Sequence, residues 1–230
     1  MKEYYTNCNV KIPRKLEIVR NVFAQIELEN DAKILDIGGV SSYYGILKAI
    51  FQSKDVYLSN INFMDIEDVK NSICCDATRL PFKNETWNVI TSFDLIEHLI
   101  NPDDFLAESF RVLKRGGWFV ISTPNLADLY SRIVFLLGYT PYSYNPSKFR
   151  VAIPFQKTNT NAGHKSVFTY SGLKQLLGIH GFRIIHSNGY HYCNEMKRSE
   201  RSVGFINIRR QLNLILTKSL KEGQLFICKK

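Results

Sequence analysis

Between Lys33 and Ser122 short apolar runs alternate with amphipathic stretches, and that alternation leaves few architectures open. Lys33–Ile37 reads as a buried strand that closes on Asp36-Ile37-Gly38-Gly39, and residues 41–52 have helical spacing. Strands follow at 56–59, at 72–75 (ending on Asp76) and at Trp87–Phe93. Residues 103–114 read as a helix with Pro102 before it and Gly116-Gly117 as its stop, and residues 118–122 as a fifth strand. Strand and helix in turn, joined by short connections, predict a parallel sheet covered by helices on both faces. Before this core, Leu16, Val19, Val22, Phe23 and Ile26 mark one face of a helix over 13–27. After it come a helix over 125–138, an irregular stretch over 139–163, a helix over 171–180 and a strand over 182–187. A mostly helical segment over 195–219 and a last strand over 224–228 complete the expected order.

At 230 residues, with 45% hydrophobic and 22% charged side chains, the chain has the composition of an ordinary globular protein. We expect one domain over residues 1–230, with 139–163 as a lid-like insertion. Five cysteines, with no C-x-x-C pair, argue against a disulfide framework or a zinc ribbon and for a reducing, cytoplasmic setting. No apolar run approaches the roughly 20 residues that a spanning helix needs. Charge is unevenly placed: residues 1–147 carry a net −3 and residues 148–230 a net +12. A basic last third suits an anionic small molecule, a nucleic acid or a membrane surface, and equally a solvated basic face.

Four peptides lie where strands end. The first is the turn Asp36-Ile37-Gly38-Gly39-Val40-Ser41-Ser42, at the place where open α/β sheets bind ligands. A dinucleotide fingerprint would need glycine at positions 40 and 43, where Val40 and Tyr43 would block a pyrophosphate, so NAD and FAD fit poorly. No Lys-Ser/Thr follows the turn, so it is not a phosphate-binding P-loop. The second peptide is Asp76-Ala77-Thr78-Arg79-Leu80-Pro81-Phe82, whose carboxylate can accept from an exocyclic adenine amine. The third is Phe93-Asp94-Leu95-Ile96-Glu97-His98. The fourth runs Arg111-Val112-Leu113-Lys114-Arg115-Gly116-Gly117 and leads to Thr123-Pro124-Asn125.

In this order and spacing, these peptides resemble the class I S-adenosylmethionine-dependent methyltransferases, in the group that acts on small molecules. The resemblance is strong over residues 32–126 and weaker over 163–189, where Gly163-His164-Lys165, Phe168-Thr169 and Gly181-Phe182 recur. It implies a Rossmann-like, doubly wound sheet of seven strands with the last one antiparallel and helices on both faces. It also implies S-adenosylmethionine as cofactor, held by Asp36, Gly38, Gly39, Asn60, Asp76, Ala77 and Phe93. Two positions depart from the family: Val40 and Ser42 replace later glycines of the turn, and Asn60 stands where an acidic residue usually holds the ribose hydroxyls. On that reading Asn60→Asp should tighten cofactor binding or leave it unchanged, since a carboxylate accepts from both hydroxyls.

His164 and His98 are the candidate catalytic residues, because an imidazole titrates near neutrality and suits a general base. Each also has a structural alternative as a hydrogen-bonded histidine. Asp94, Glu97 and His98 match the acidic-x-x-Glu-His spacing that holds a cation in some quinone-precursor methyltransferases, but the pair Glu-His is widespread without metal, and no metal is expected. The expected reaction is methyl transfer to a small acceptor such as a sugar, lipid or quinone precursor, with negative charge on the acceptor expected from the basic residues around 148–165. No N/D-P-P-Y/F motif follows the fourth strand, so nucleic acid is disfavoured as acceptor. Peripheral contact with a membrane through the basic residues of 197–221 stays open, as does the oligomeric state. The rival reading is an inactive, methyltransferase-like binding or scaffold protein with a degenerate cofactor pocket.

Overall fold

A computed structural model describes residues 12–52, 55–141, 143–144, 163–191 and 217–230. Their seven strands, β1 (Lys33–Ile37), β2 (Asp55–Asn60), β3 (Ser72–Cys74), β4 (Trp87–Phe93), β5 (Leu113–Pro124), β6 (Arg183–Tyr190) and β7 (Gly223–Lys229), form one sheet. The order is β3-β2-β1-β4-β5-β7-β6. β1 pairs in parallel with both β2 and β4, while β7 runs antiparallel between β5 and β6. The expected doubly wound sheet with an antiparallel last strand is therefore present. Between β1 and β4 the strand order reverses, so their carboxyl ends flank the crevice where such sheets bind ligands.

Residues alternate across the sheet with period two, and both faces are apolar, as a fully covered sheet requires. Leu35, Ile90, Phe119, Ile121, Phe226 and Cys228 face one layer, together with Phe105 and Leu106 of α3 (Pro102–Val112) and Leu173 and Leu177 of α5 (Tyr170–Ile179). Ile34, Val89, Val120, Leu225 and Ile227 face the other. That layer is closed by Leu16, Val19 and Phe23 of α1 (Arg14–Phe23) and Ile46, Leu47 and Ile50 of α2 (Ser41–Ile50).

Two helix bounds differ from the sequence expectation. The helix α3 stops at Val112 rather than at the glycine pair, and the chain passes directly into β5. Gly116 (φ +70°) instead shapes a bulge, which shifts the register from Trp87↔Leu113 to Val89↔Trp118. At the end of α3, Lys230 Nζ donates to Phe110 O and to Leu113 O at 2.7 and 2.8 Å, while Glu85 N and Thr86 N donate to Arg111 O and Val112 O. The next helix, α4 (Leu129–Leu136), begins later than position 125 because Asn125 is held elsewhere: its amide donates to Ser219 O and Lys221 O. Asp128 then caps α4 by accepting from Ser131 N at 2.9 Å. The helix expected over 195–219 lies outside the described residues except for a 3-10 turn at Lys218–Leu220. Most of the stretch 139–163, expected as a lid-like insertion, lies outside them too, with Lys148, Arg150 and Lys157.

Candidate active site

The site grows from the carboxyl ends of β1, β4 and β5. At the end of β1, Asp36 is buried and its Oδ1 accepts from Thr91 Oγ on β4 at 2.6 Å. Burial pushes this carboxyl up to about 7, against the pull of the Thr91 hydrogen bond and of Lys15. The turn that follows needs its glycines. Gly38 has φ +73°, and a Cβ on Gly39 would come within 2.6 Å of Asp36 Oδ2 and 2.9 Å of Leu58 Cδ2. Both glycine N–H groups donate to Ser59 O of β2, at 2.7 and 3.2 Å.

Asn60 locks the same turn. Its Nδ2 donates to Gly39 O and its Oδ1 accepts from Asn62 N, each at 3.0 Å. Because one partner only accepts and the other only donates, the amide orientation is fixed. This changes the expectation for Asn60→Asp: a carboxylate there would face the Gly39 carbonyl oxygen. We expect that variant to lose about 1–3 kcal/mol of stability in thermal unfolding. An unchanged melting temperature together with tighter cofactor binding would show that the turn does not depend on the amide.

After β3, Asp76 is exposed, and Thr78 donates to its Oδ1 through both N–H and hydroxyl at 2.8 Å. Those bonds hold the carboxyl below its ordinary range, so it stays an anion and an acceptor at the rim. Ala77 is half-buried and packs on the core layer that Leu35 and Ile90 face. Phe93, at the end of β4, is buried, and its ring meets Tyr43 edge-on with centroids 6.4 Å apart.

Beyond β4 the chain turns sharply at Asp94 (φ +53°), a left-handed conformation that aspartate tolerates better than most residues. The turn sends Asp94 toward Lys15 of α1, whose Nζ lies 2.5 Å from Oδ2. Ser122 Oγ and Tyr190 OH donate to Oδ1 at 3.0 and 3.4 Å. Burial lowers the Lys15 ammonium, but Asp94 and then Tyr43 outweigh it and leave the group above its usual value. The same Nζ sits 5.3 Å over the Tyr43 ring and 5.9 Å over the Phe93 ring. Phe93 thus forms a wall of the Lys15 cage.

Glu97 and His98 occupy the 3-10 turn Ile96–His98. Glu97 is buried, and its Oε2 accepts from Thr123 Oγ of β5 at 2.8 Å. Burial first, and the Asp94 carboxylate second, raise its proton affinity. Residues 163–166 are stitched to this turn: Lys165 N and Ser166 N donate to Glu97 O at 2.7 and 3.0 Å, and Ser166 Oγ donates to Leu99 O at 2.8 Å. His164 and His98 are thereby brought together, with ring centroids 5.0 Å apart. His164 Nδ1 stands 2.8 Å from Ser143 O, a carbonyl that can only accept, so Nδ1 carries the proton and Nε2 the lone pair. His98 is exposed and bonds to the backbone of Gly163; partial burial and then His164 lower its proton affinity.

With this geometry in place, residues 11–187 match the family described as "Methyltransferase domain". The chain belongs to that family. A probable S-adenosylmethionine-dependent methyltransferase of Mycolicibacterium smegmatis is 34% identical over 118 aligned residues, a match that covers 49% of this chain and 44% of that protein. A malonyl-[acyl-carrier protein] O-methyltransferase of Marinomonas sp. is 27% identical over 117 residues, 46% of this chain and 43% of the relative. The chain spans about half the length, or less, of the curated relatives it matches. In fold, it resembles the crystal structure of a SAM-dependent methyltransferase from Archaeoglobus fulgidus, with a TM-score of 0.59, 20% identity and 94% of each chain covered. The cofactor of this methyltransferase family is S-adenosylmethionine, and the residues present suit it. A glycine turn that a Cβ would fill, a buried carboxyl at the end of β1 and an exposed anion after β3 offer partners for its ammonium, sugar and adenine ends.

Two family peptides turn out to be structural. The Arg111 guanidinium bonds to Glu108, to Leu80 O and Phe82 O, and to Asn84, tying the Leu80-Pro81-Phe82 loop to α3. In Thr123-Pro124-Asn125 only Thr123 reaches the site; Asn125 braces the segment before β7. Sequence reasoning missed Lys15, Thr91, Tyr43 and Tyr190. Lys15 left a trace: it shares the buried side of α1 with Leu16, Ile18, Val19 and Phe23, where an unpaired lysine would be costly. The other three carry no local signal.

Proposed function

We propose that this chain is an active S-adenosylmethionine-dependent methyltransferase that transfers the methyl group to an oxygen of a small acceptor. The observation that carries the reading is the convergence of His98, His164 and Glu97 beside the β1/β4 crevice, with the His164 lone pair fixed on Nε2. The bound cofactor supplies an electrophilic methyl carbon on a sulfonium. In this reading Asp36 balances its ammonium, Asn60 meets the ribose with the hydrogen-bonding capacity left beyond the turn, and Asp76 accepts from the adenine amine. Phe93 and Ala77 line the apolar side, while Gly38 and Gly39 allow close approach.

His164 Nε2, or His98 beside it, would take the proton of an acceptor hydroxyl as that oxygen receives the methyl group. Alignment of acceptor and methyl group is the protein's larger contribution. The O-methyltransferase name of one relative supports oxygen as the acceptor atom. A negatively charged acceptor is supported by Lys165, whose charge acts on His98, and by the basic residues that follow position 147. The free thiols Cys74, Cys75 and Cys228 support a cytoplasmic setting. Among the described residues no helix is long and apolar enough to cross a membrane.

Calorimetric titration with S-adenosylmethionine and with its demethylated product tests the reading. Saturable binding of both is expected. No heat and no thermal shift at millimolar cofactor would favour the inactive scaffold instead, a rival to which the engaged N–H groups of Gly38 and Gly39 give weight.

A further inference from the structure

Glu97 is buried beside the two imidazoles with one oxygen to spare. It is 1% exposed; Thr123 Oγ donates to its Oε2, and among the described residues its Oε1 meets no hydrogen-bond donor. An ionised carboxylate buried without a cation is costly, and such a group holds a proton instead. The buried ammonium of this region, on Lys15, is committed to Asp94 at 2.5 Å. We propose that Glu97 is the counter-charge by which the site tells S-adenosylmethionine from its demethylated product: the carboxyl is ionised while the sulfonium is bound and carries a proton once that positive charge is gone.

The inference rests on the methyltransferase reading, from which the place of Glu97 follows. A methyl carbon poised to react lies about 3–3.5 Å from the acceptor oxygen. The proton of that oxygen must lie within hydrogen-bond reach of a histidine. A carboxylate oxygen of Glu97 and a ring nitrogen each of His98 and His164 lie within 4.8 Å of one another. The sulfonium charge is therefore present, and then lost, close to a carboxyl that the fold shields from solvent, where Coulomb attraction is several-fold stronger than in bulk water.

The surroundings fix the sign. Glu97 faces Asp94 and His98 on its own turn, Lys15 of α1, Thr123 of β5 and His164 on residues 163–166. Burial and then Asp94 raise its proton affinity, and the hydrogen bonds and the Lys15 charge that pull the other way do not prevail. A cation brought against the carboxyl reverses that balance and expels the proton, whereas a neutral thioether does not.

The same group gives the proton of the reaction a destination. The acceptor oxygen gains the methyl carbon and loses its proton to His164 Nε2, the electron pair of the broken C–S bond stays on sulfur, and the proton passes to the Glu97 carboxylate, directly or through one water. One positive charge leaves the cofactor as one proton arrives on Glu97, so the buried site keeps its net charge and His164 regains its lone pair.

The test counts protons on binding and needs no acceptor. Calorimetric titration of the full chain near neutral pH, in buffers of different ionisation enthalpy, gives the protons released by S-adenosylmethionine and by its demethylated product. Both ligands carry the ammonium, so a proton that leaves Asp36 cancels in the comparison. S-adenosylmethionine should release more, the difference approaching one proton per chain, and the difference should vanish at a pH high enough to ionise Glu97 beforehand. Glu97→Gln should abolish the difference and lower the affinity for S-adenosylmethionine relative to the product by roughly tenfold. Thr123→Val keeps the carboxyl but removes a donor to it, and decides the matter if the Glu97 variant misfolds: the pH at which the difference vanishes should move upward. Equal proton counts in the wild type, or a difference that neither variant alters, would overturn the inference while cofactor binding stands. Failure of both ligands to bind would sink the methyltransferase reading, and the inference with it.

Discussion

Asp36→Asn should stabilise the apo-protein at pH 8 and abolish cofactor binding. In the fold, burial holds the Asp36 carboxyl at about 7, whereas an unfolded aspartate titrates near 3.9. A folded pKa above the unfolded one means that the charged form is disfavoured on folding. Stability from this group is therefore full below about pH 3.9 and is lost as pH rises through about 7. The penalty above pH 7 is on the order of 4 kcal/mol, which a neutral amide avoids. An amide can still accept from Thr91. For a chain of this size each kcal/mol moves the melting temperature by roughly 2–4 °C, so a rise of several degrees at pH 8 and little change at pH 4 is the expected pattern. Cofactor binding should fall by at least about 100-fold, because an ammonium facing an amide loses a buried charge partner. Calorimetric unfolding and titration measure the two effects independently. Equal destabilisation at both pH values would make Asp36 a structural residue, and retained cofactor affinity would remove it from the site.

Lys15→Met should be strongly destabilising. Lys15 is 4% exposed and faces Asp94, with Tyr43 and Phe93 around its ammonium. Methionine fills a similar volume but leaves Asp94 without its cation and Glu97 with an uncompensated neighbour. Removal of one partner of a buried pair costs about 3–5 kcal/mol. Asp94 keeps 28% of its side chain exposed, which relieves part of that, so we expect about 2–4 kcal/mol. The double variant Lys15→Met with Asp94→Asn should recover a large part of the loss, because no charge is then stranded. Denaturant unfolding of the wild type, the two single variants and the double variant measures the coupling. Strict additivity would mean that the ion pair contributes nothing and that Lys15 acts only through packing.

The sheet and its covering were legible in the sequence because they depend on local signals. Period-two apolar strands and one-sided helices reveal themselves within a few residues, and Gly38-Gly39 marks the turn because only glycine tolerates its geometry. Helix ends were less legible. The end of α3 is held by Glu85, Thr86 and Lys230 and the start of α4 is delayed by contacts of Asn125 with Ser219 and Lys221, and sequence spacing carries no trace of such remote partners.

The sequence by itself determined the layered architecture and the position of the crevice, since both follow from hydrophobic patterning and from a glycine turn with one conformational use. Only the tertiary structure decided what those residues do to one another. It gave Asp94 to Lys15, turned the Asn60 amide onto the glycine turn, and brought His164 to Glu97 and His98 through the stitching of residues 163–166 onto the turn after β4. The physical reason is range. Propensity and hydrophobic period act over a turn or two of chain, whereas charge pairing, burial and ligand convergence depend on distances in space that the fold sets.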